Sequence, residues 1–212
     1  MTANESPFTA DVAERAAPDK RERILQAAIT VFAQKGFYAT KVTEIAKAAG
    51  VADGTIYLYF KNKDDVLVSI FRERIGELVR LLRLEVAKTN DVSSRIRRIV
   101  ELQLGLLEGR RDLAEVITVN LRQSSLLLKQ YAAPLFTEYL TVIAEVLAEG
   151  QTRGEIRRDI NPRIAARALW GGLDGIALTW ALDNPEPEAL RKAAHQFAEI
   201  FLSGVLEGRA NP

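Results

Sequence analysis

The 212-residue sequence contains no cysteine, one histidine and one methionine. The absence of cysteine excludes disulfides, thiolate metal sites and cysteine nucleophiles. A single histidine, His195, provides no basis for a multi-histidine zinc site or a histidine proton relay. No apolar run approaches the roughly 18 residues of a membrane span, and the acidic N-terminal segment differs from a signal peptide. We therefore expect a cytoplasmic protein without a membrane partner.

The sequence also lacks the motifs that commonly mark an enzyme. It contains neither a G-x-S-x-G nucleophile elbow nor a G-x-x-x-x-G-K-[ST] phosphate-binding loop. No pair of carboxylates stands out on an apolar face as a general acid and base. The sequence therefore predicts a protein that is not an enzyme and that holds no cofactor or metal.

Charge is nearly balanced overall, at +1, but it is unevenly distributed. Residues 20–63 contain eight basic and three acidic side chains, a net charge of +5, whereas residues 1–19 carry −3 and residues 64–212 carry −1. A basic segment joined to a near-neutral remainder suggests a small polyanion-binding domain on a larger body. A solvated helical face is the alternative explanation.

Apolar residues recur at the i, i+3, i+4, i+7 spacing of helices, without the alternation of strands. The pattern predicts an all-α fold with a flexible tail over 1–18, a small domain over 19–63 and a larger domain over 64–212. Asp19 with Glu22 forms a predicted capping box, and Asp64 is the predicted cap of a long helix. The predicted helices cover about 20–35, 42–48, 53–60, 64–88, 92–108, 112–123, 126–153, 162–182 and 187–208.

Residues 42–63 contain a short helix, a turn at Gly50 and a second short helix, which is a helix-turn-helix pattern. Ile56 and Phe60 lie four residues apart and are predicted to point inward. The remaining outward face carries hydroxyl groups that suit phosphates and base edges, and it comprises Asp53, Gly54, Thr55, Tyr57, Leu58 and Tyr59. Lys63 follows this face as a predicted phosphate ligand.

Residues 43–65, TEIAKAAGVADGTIYLYFKNKDD, resemble the DNA-binding domain of the TetR family of transcriptional repressors. The resemblance covers residues 20–67. It implies an all-α homodimer with an N-terminal three-helix, helix-turn-helix domain and a larger C-terminal ligand-binding and dimerisation domain. It also implies DNA-contact roles for Lys41, Thr43, Asp53, Gly54, Thr55, Tyr57, Leu58, Tyr59 and Lys63.

Two positions depart from the TetR pattern. The family usually has a serine N-cap where this chain has Ala52, so Asp53 is the predicted replacement cap. The family often has threonine at the position of Lys41, whose ammonium group is a predicted phosphate contact here.

Three C-terminal segments resemble the FadR fatty-acid-degradation regulators: NLRQSSLLLKQY at 120–131, EYLTVIAEVLAEGQTRGEIRRDI at 138–160 and ALWGGLDGIALTWAL at 168–182. In those repressors a long-chain acyl-CoA enters the C-terminal domain and releases double-stranded DNA. The resemblance therefore implies a repressor of fatty-acid degradation genes that binds a pseudo-palindromic operator. Two alternatives remain open, a TetR-type repressor with another lipophilic or aromatic effector, as in drug efflux control, and a helical ligand carrier without DNA binding.

Polar groups within apolar helices are candidates for effector contact, because a buried polar group needs a partner. The candidate effector residues are Gln103, Asn120, Arg122, Gln123, Tyr139 and Trp170. Surface exposure, helix–helix hydrogen bonds and core packing are the alternatives for them. The candidate dimer interface lies on the last two helices and includes Gly171, Gly175, Phe197 and Phe201.

Overall fold

The computed structural model describes residues 19–120, 122, 133–183, 186 and 188–206. Within these ranges nearly all regular structure is helical, apart from one isolated bridge between Ile156 and Leu206, which confirms the predicted all-α fold. None of the described helices has the length and apolar content of a membrane span. The helices are α1 (Lys20–Lys35), α2 (Val42–Ala49), α3 (Asp53–Tyr59), α4 (Lys63–Val86), α5 (Val92–Gly105), α6 (Arg111–Glu115), a π-helix (Val116–Asn120), α7 (Ala133–Thr152), α8 (Pro162–Leu182) and α9 (Ala189–Val205).

The chain divides into two compact units. The first unit contains the described residues up to Arg74 together with those from Gly109 to Ala133, and the second contains the rest. The division between Arg74 and Ile75 falls within α4. The predicted functional boundary between residues 63 and 64 stays a prediction, and the predicted tail over 1–18 lies outside the described residues.

The first unit is built around α1, which buries one apolar stripe. Ile24, Ala28 and Phe32 have no exposed surface and follow the helical period. Glu22 on the same helix pairs with Arg74 of α4 at 2.6 Å. Because the Arg74 side chain is almost fully buried, this ion pair ties the start of α1 firmly to α4 within the unit.

The predicted capping box at the start of α1 is half correct. The Asp19 carboxylate accepts a hydrogen bond from the Glu22 backbone N–H at 2.8 Å, as an N-cap should. The Glu22 carboxylate does not complete the box, because it accepts from Gln26 and Arg74 instead. Glu22 therefore pairs with Arg74 of α4 instead of completing the local cap.

The predicted cap of α4 is wrong. Asp64 lies inside the first turn, since the helix begins one residue earlier, at Lys63. Asn62 provides the cap, because its side-chain oxygen accepts from the Asp65 backbone N–H at 2.8 Å. Asp65 accepts in return from the Lys61 backbone N–H at 2.9 Å, so two backbone donors at this helix start are satisfied.

The second unit packs α5 and α8 against α9. A Cβ atom placed on Gly172 of α8 would lie 2.4 Å from the ring of Phe197 on α9. A Cβ atom placed on Gly150 of α7 would lie 2.7 Å from Ile156 and 2.8 Å from Val92. These two close approaches therefore require residues without a side chain.

Several predicted helix bounds are corrected by the structure. The helix predicted over about 112–123 is α-helical only to Glu115 and continues as a π-helix to Asn120, with hydrogen bonds to the fifth residue. Apolar spacing does not distinguish these two helix types over five residues. The helices predicted to end at about 108 and 208 stop at Gly105 and Val205. The predicted helix start near 126 lies outside the described residues.

We expect Gly172→Ala to lower the free energy of unfolding by about 1 kcal/mol, because overpacking against Phe197 outweighs the gain in helix propensity. The melting temperature should fall by about 2–4 °C in a thermal unfolding experiment. Gly76→Ala in α4 is the matched control, since beyond its own helix backbone no atom of the described residues lies within 4 Å of its added Cβ, and it should raise the melting temperature. Equal changes in the two variants would contradict the crowding at Gly172.

Candidate nucleic-acid interface and effector site

The predicted helix-turn-helix is present as α2 and α3. Gly50 adopts a left-handed conformation, with a φ of 65°, at the end of α2, and the following Val51 N–H donates to the Ala46 carbonyl at 3.0 Å. Ala46 and Ala49 of α2 are buried. Arg23 of α1 donates to the Ala49 carbonyl at 2.7 Å, so the end of α2 is also attached to α1.

The α3 helix separates an inward from an outward face as predicted. Ile56 and Phe60 are buried, whereas the outward Tyr57 and Leu58 are 59% and 80% exposed. The predicted outward residues Asp53, Gly54 and Tyr59 are also exposed, and Thr55 is half-buried. The side chains predicted to contact DNA along α3 therefore lie on one continuous face.

The start of α2 adds two further predicted DNA contacts to this domain, since Lys41 and Thr43 are both exposed. The Lys41 backbone N–H donates to the Glu44 carboxylate at 2.9 Å. A hydrogen bond from Lys35 lowers the pKa of Glu44, as does this backbone hydrogen bond. Glu44 consequently stays ionised and holds the helix start in place, while Lys41 itself is exposed.

The prediction that Asp53 caps α3 is wrong. Ala52 occupies the N-cap position, and its side chain makes no capping hydrogen bond. Asp53 is already the first helical residue, so its carboxylate is not in the extended N-cap geometry. Its position in the first turn still places negative charge near the positive end of the helix dipole.

Lys63 forms hydrogen bonds within the chain, whereas the sequence predicted a contact with a DNA phosphate. Its ammonium group donates to the carbonyl oxygens of Phe37, Tyr38 and Thr40 at 2.7, 3.2 and 2.8 Å. It also lies 4.6 Å from the centroid of the Phe37 ring. An ammonium group has three N–H donors, so these carbonyls account for all of them. Lys63 holds the turn between α1 and α2.

Asn120 has a comparable role on the other side of the same turn. Its side-chain oxygen accepts from the Phe37 backbone N–H at 2.7 Å, and its amide nitrogen donates to the Glu115 carbonyl at 3.4 Å. Both ends of the buried carboxamide are therefore occupied, and the prediction that Asn120 contacts an effector is corrected. The other predicted effector residues of this segment are Arg122, which is exposed, and Gln123, which lies outside the described residues.

The three other predicted effector residues lie in the second unit. Tyr139 donates its hydroxyl hydrogen to the side-chain oxygen of Gln103, and this bond joins α7 to α5. Burial raises the pKa of Tyr139, so the hydroxyl remains protonated. The Trp170 ring packs edge-on against Phe136, with centroids 5.1 Å apart. This unit therefore combines a partly buried polar pair between α7 and α5 with an aromatic pair between α7 and α8.

The predicted dimer residues divide into two kinds. Gly171 and Gly175 are exposed on α8, and beyond the nearby backbone of α8 no atom of the described residues lies within 4 Å of their added Cβ atoms. Phe197 is half-buried against Gly172, and it stacks on Phe201 at 6.4 Å. Phe197 consequently packs within its own chain, whereas the two exposed glycines remain predicted dimer contacts.

Sequence patterns missed the contacts that join distant parts of the first unit. Arg23 and Lys63 lie more than 20 residues from the carbonyl groups they bind, so local spacing contains no signal for either bond. The polar Asn120 in an apolar stretch was a usable signal, because such a group needs a partner. The signal did not reveal that the partner is the protein backbone.

Comparisons with known proteins agree with this geometry. Residues 24–70 match the profile of bacterial regulatory proteins of the tetR family, and residues 71–204 match the YsiA-like protein C-terminal region. The fatty acid metabolism regulator protein of Bacillus subtilis is 34% identical over 186 residues, which cover 88% of this chain and 95% of that protein.

Two solved structures are similar along nearly their whole length. The fatty acid degradation regulator FadR from Bacillus halodurans is 34% identical, with a TM-score of 0.83 over 90% of this chain and 98% of that one. FadR from Bacillus subtilis in complex with stearoyl-CoA is 34% identical, with a TM-score of 0.80 over 86% and 98%. These relatives are regulators and not enzymes, and the chain belongs to the TetR family of transcriptional regulators, with a DNA-binding helix-turn-helix.

Proposed function

We propose that this chain is a repressor of fatty-acid degradation genes, which binds a pseudo-palindromic operator and is released by long-chain acyl-CoA. The observation that carries the proposal is its similarity to the FadR regulators over both compact units, including one solved with stearoyl-CoA. A bacterial operator lies in the cytoplasm, where we place the protein.

The outward face of α3 is suited to the major groove of DNA. A helix about 10–12 Å wide matches a groove about 12 Å wide. Thr55 and Tyr57 offer hydroxyl groups to phosphates or base edges, and Lys41 offers an ammonium group to a phosphate. Two such helices in a dimer would occupy half-sites about 34–36 Å apart.

The effector site that we propose lies in the second unit around Tyr139 and Gln103. Phe136 and Trp170 supply aromatic surface that suits an acyl chain, and such sites combine apolar walls with a few polar groups. Because the Tyr139 hydroxyl donates to the Gln103 oxygen, the amide N–H2 of Gln103 is the donor suited to an acyl carbonyl. The chemistry of the unit therefore matches a long acyl thioester.

Release of the operator requires the effector to prefer a conformation that does not bind DNA. To change the populations of the two conformations from 1:99 to 99:1, this preference must be roughly 5.5 kcal/mol. A ligand that binds both conformations equally would stabilise the fold without releasing the operator.

We expect stearoyl-CoA to raise the melting temperature of the purified protein. A ligand that binds only the folded state adds about 2.7 kcal/mol at a concentration 100 times its dissociation constant. Free CoA, shorter acyl-CoAs, free fatty acids and cationic aromatic drugs complete the thermal-shift panel. Stabilisation by a drug, with no response to any acyl-CoA, would overturn the lipid assignment and leave a repressor of another effector class.

The exposed face of α8 suits a second copy of the chain. Ile164 and Leu182 expose large apolar side chains, and Gly171 and Gly175 allow close approach of another helix. On α9, Ile200 is also exposed. A twofold operator requires two helix-turn-helix domains, so we propose that α8 and α9 pair with those of a second copy as a four-helix bundle.

We expect Gly175→Glu to convert the dimer to monomers, because a charge would enter the proposed interface. Light scattering after gel filtration should give the 23.5 kDa mass of one chain, and operator binding should weaken. Ala148→Glu on the exposed face of α7 is the matched control and should remain dimeric. A dimeric Gly175→Glu variant with normal operator affinity would place the interface elsewhere.

Lys41 and Lys63 should differ in how they affect the salt dependence of operator binding. We expect Lys41→Met to reduce the slope of log affinity against log salt by about 0.9, since it loses one phosphate contact. Lys63→Met should leave the slope unchanged and lower the melting temperature, since it loses bonds to three carbonyls. Operator titrations at several salt concentrations measure both slopes. A slope for Lys63→Met that is smaller than that of wild type would indicate that Lys63 contacts a phosphate, as the sequence predicted.

A further inference from the structure

The turn from Phe37 to Thr40 connects α1 to the helix-turn-helix and is held on two sides. Lys63 binds its carbonyl groups, and the Asn120 oxygen accepts the Phe37 N–H at 2.7 Å, across 83 residues of sequence. Within the turn, the Thr40 hydroxyl donates to the Gly36 carbonyl at 2.8 Å. The direction in which the chain enters α2 therefore depends on these contacts.

Asn120 is the contact that comes from outside the helix-turn-helix region. It is the last residue of the π-helix, and its side chain is almost completely buried. Its amide nitrogen also donates to the Glu115 carbonyl at 3.4 Å, the fifth residue before it. The same carboxamide thus binds Glu115, the residue directly before the π-helix, and the turn before α2, so a change in one alters the position of the other.

The segment that contains the π-helix lies in one unit, while the residues on either side of it along the chain lie in the other. The described residues between Gly109 and Ala133 pack in the first unit, yet the described residues before them, from Ile75 to Glu108, and after them, from Pro134, form the second unit. The proposed effector residues Gln103 and Tyr139 lie in those flanking stretches. A change in the second unit therefore has a covalent path to the π-helix, which is a helix type frequent at functional sites.

We propose that Asn120 is a positioning residue for operator binding, which orients the helix-turn-helix through the backbone N–H of Phe37. The π-helix must keep its conformation for this bond to form. Resting on the proposed function, the regulatory part of the proposal is that effector binding lowers operator affinity by displacing Asn120 from Phe37.

Asn120→Ala tests the proposal, with Thr118→Val as the matched control. Thr118 is also buried in the π-helix, and its hydroxyl donates to the Ala114 carbonyl at 2.7 Å, a local bond rather than one to the turn. At a temperature where both variants are folded, Asn120→Ala should weaken operator binding by about tenfold, and Thr118→Val by less than about twofold. Hydrogen exchange of the Phe37 amide should accelerate only in Asn120→Ala.

The salt dependence separates positioning from direct contact with DNA. Both variants should keep the wild-type slope of log affinity against log salt, because neither loses a phosphate contact. Equal operator affinity in Asn120→Ala and Thr118→Val, or an unchanged exchange rate at Phe37, would overturn the proposal.

Titrations with stearoyl-CoA test the regulatory part of the proposal. The dissociation constant of stearoyl-CoA should be lower for Asn120→Ala than for wild type, because the variant has no Asn120–Phe37 bond to displace. The ratio of operator affinities without and with stearoyl-CoA should be smaller in the variant. If stearoyl-CoA fails to bind wild type, the proposed effector is wrong, but the comparison of Asn120→Ala with Thr118→Val still decides the positioning role. An unchanged ratio in Asn120→Ala, with normal binding of stearoyl-CoA, would overturn the coupling.

Discussion

The need to satisfy backbone groups outside helices governs the arrangement of the DNA-binding part of this chain. A helix pairs its own N–H and C=O groups, but the turn from Phe37 to Thr40 leaves several without helical partners. Lys63 supplies three donors to this turn, and Asn120 supplies one acceptor. Because the turn leads directly into α2, the same hydrogen bonds that satisfy the backbone also orient the helix-turn-helix.

The second unit shows a different use of polar groups. The Tyr139 hydroxyl donates to the Gln103 oxygen inside an apolar bundle, and burial keeps the tyrosine protonated. Close packing elsewhere in the unit depends on Gly172 and Gly150, which leave no room for a methyl group. A chain with these tight contacts provides a stable frame in which a few polar groups are held in fixed positions.

Much of the fold and of the DNA-binding face could be predicted because both depend on local spacing. The four-residue separation of Ile56 and Phe60 predicts their burial, and with it the exposure of Tyr57 and Leu58. Local rules failed where two acceptors competed for the same position. Asn62 caps α4 in place of the predicted Asp64. The Glu22 carboxylate pairs with Arg74 of the same unit instead of completing the cap of α1. Asn120 was noticed as a polar residue in an apolar stretch, but its partner is a backbone group 83 residues away.

The sequence by itself determined the helical class, the outward face of α3 and the basic charge of the N-terminal domain, because each follows from the order of residues along one helix or segment. Tertiary structure decided which polar groups act within the chain. Lys63 and Asn120 have the chemistry of DNA and effector ligands, and only their distances to the Phe37–Thr40 turn identify them as internal supports. A hydrogen bond depends on separation in space, and the order of residues does not specify that separation for groups far apart in the chain.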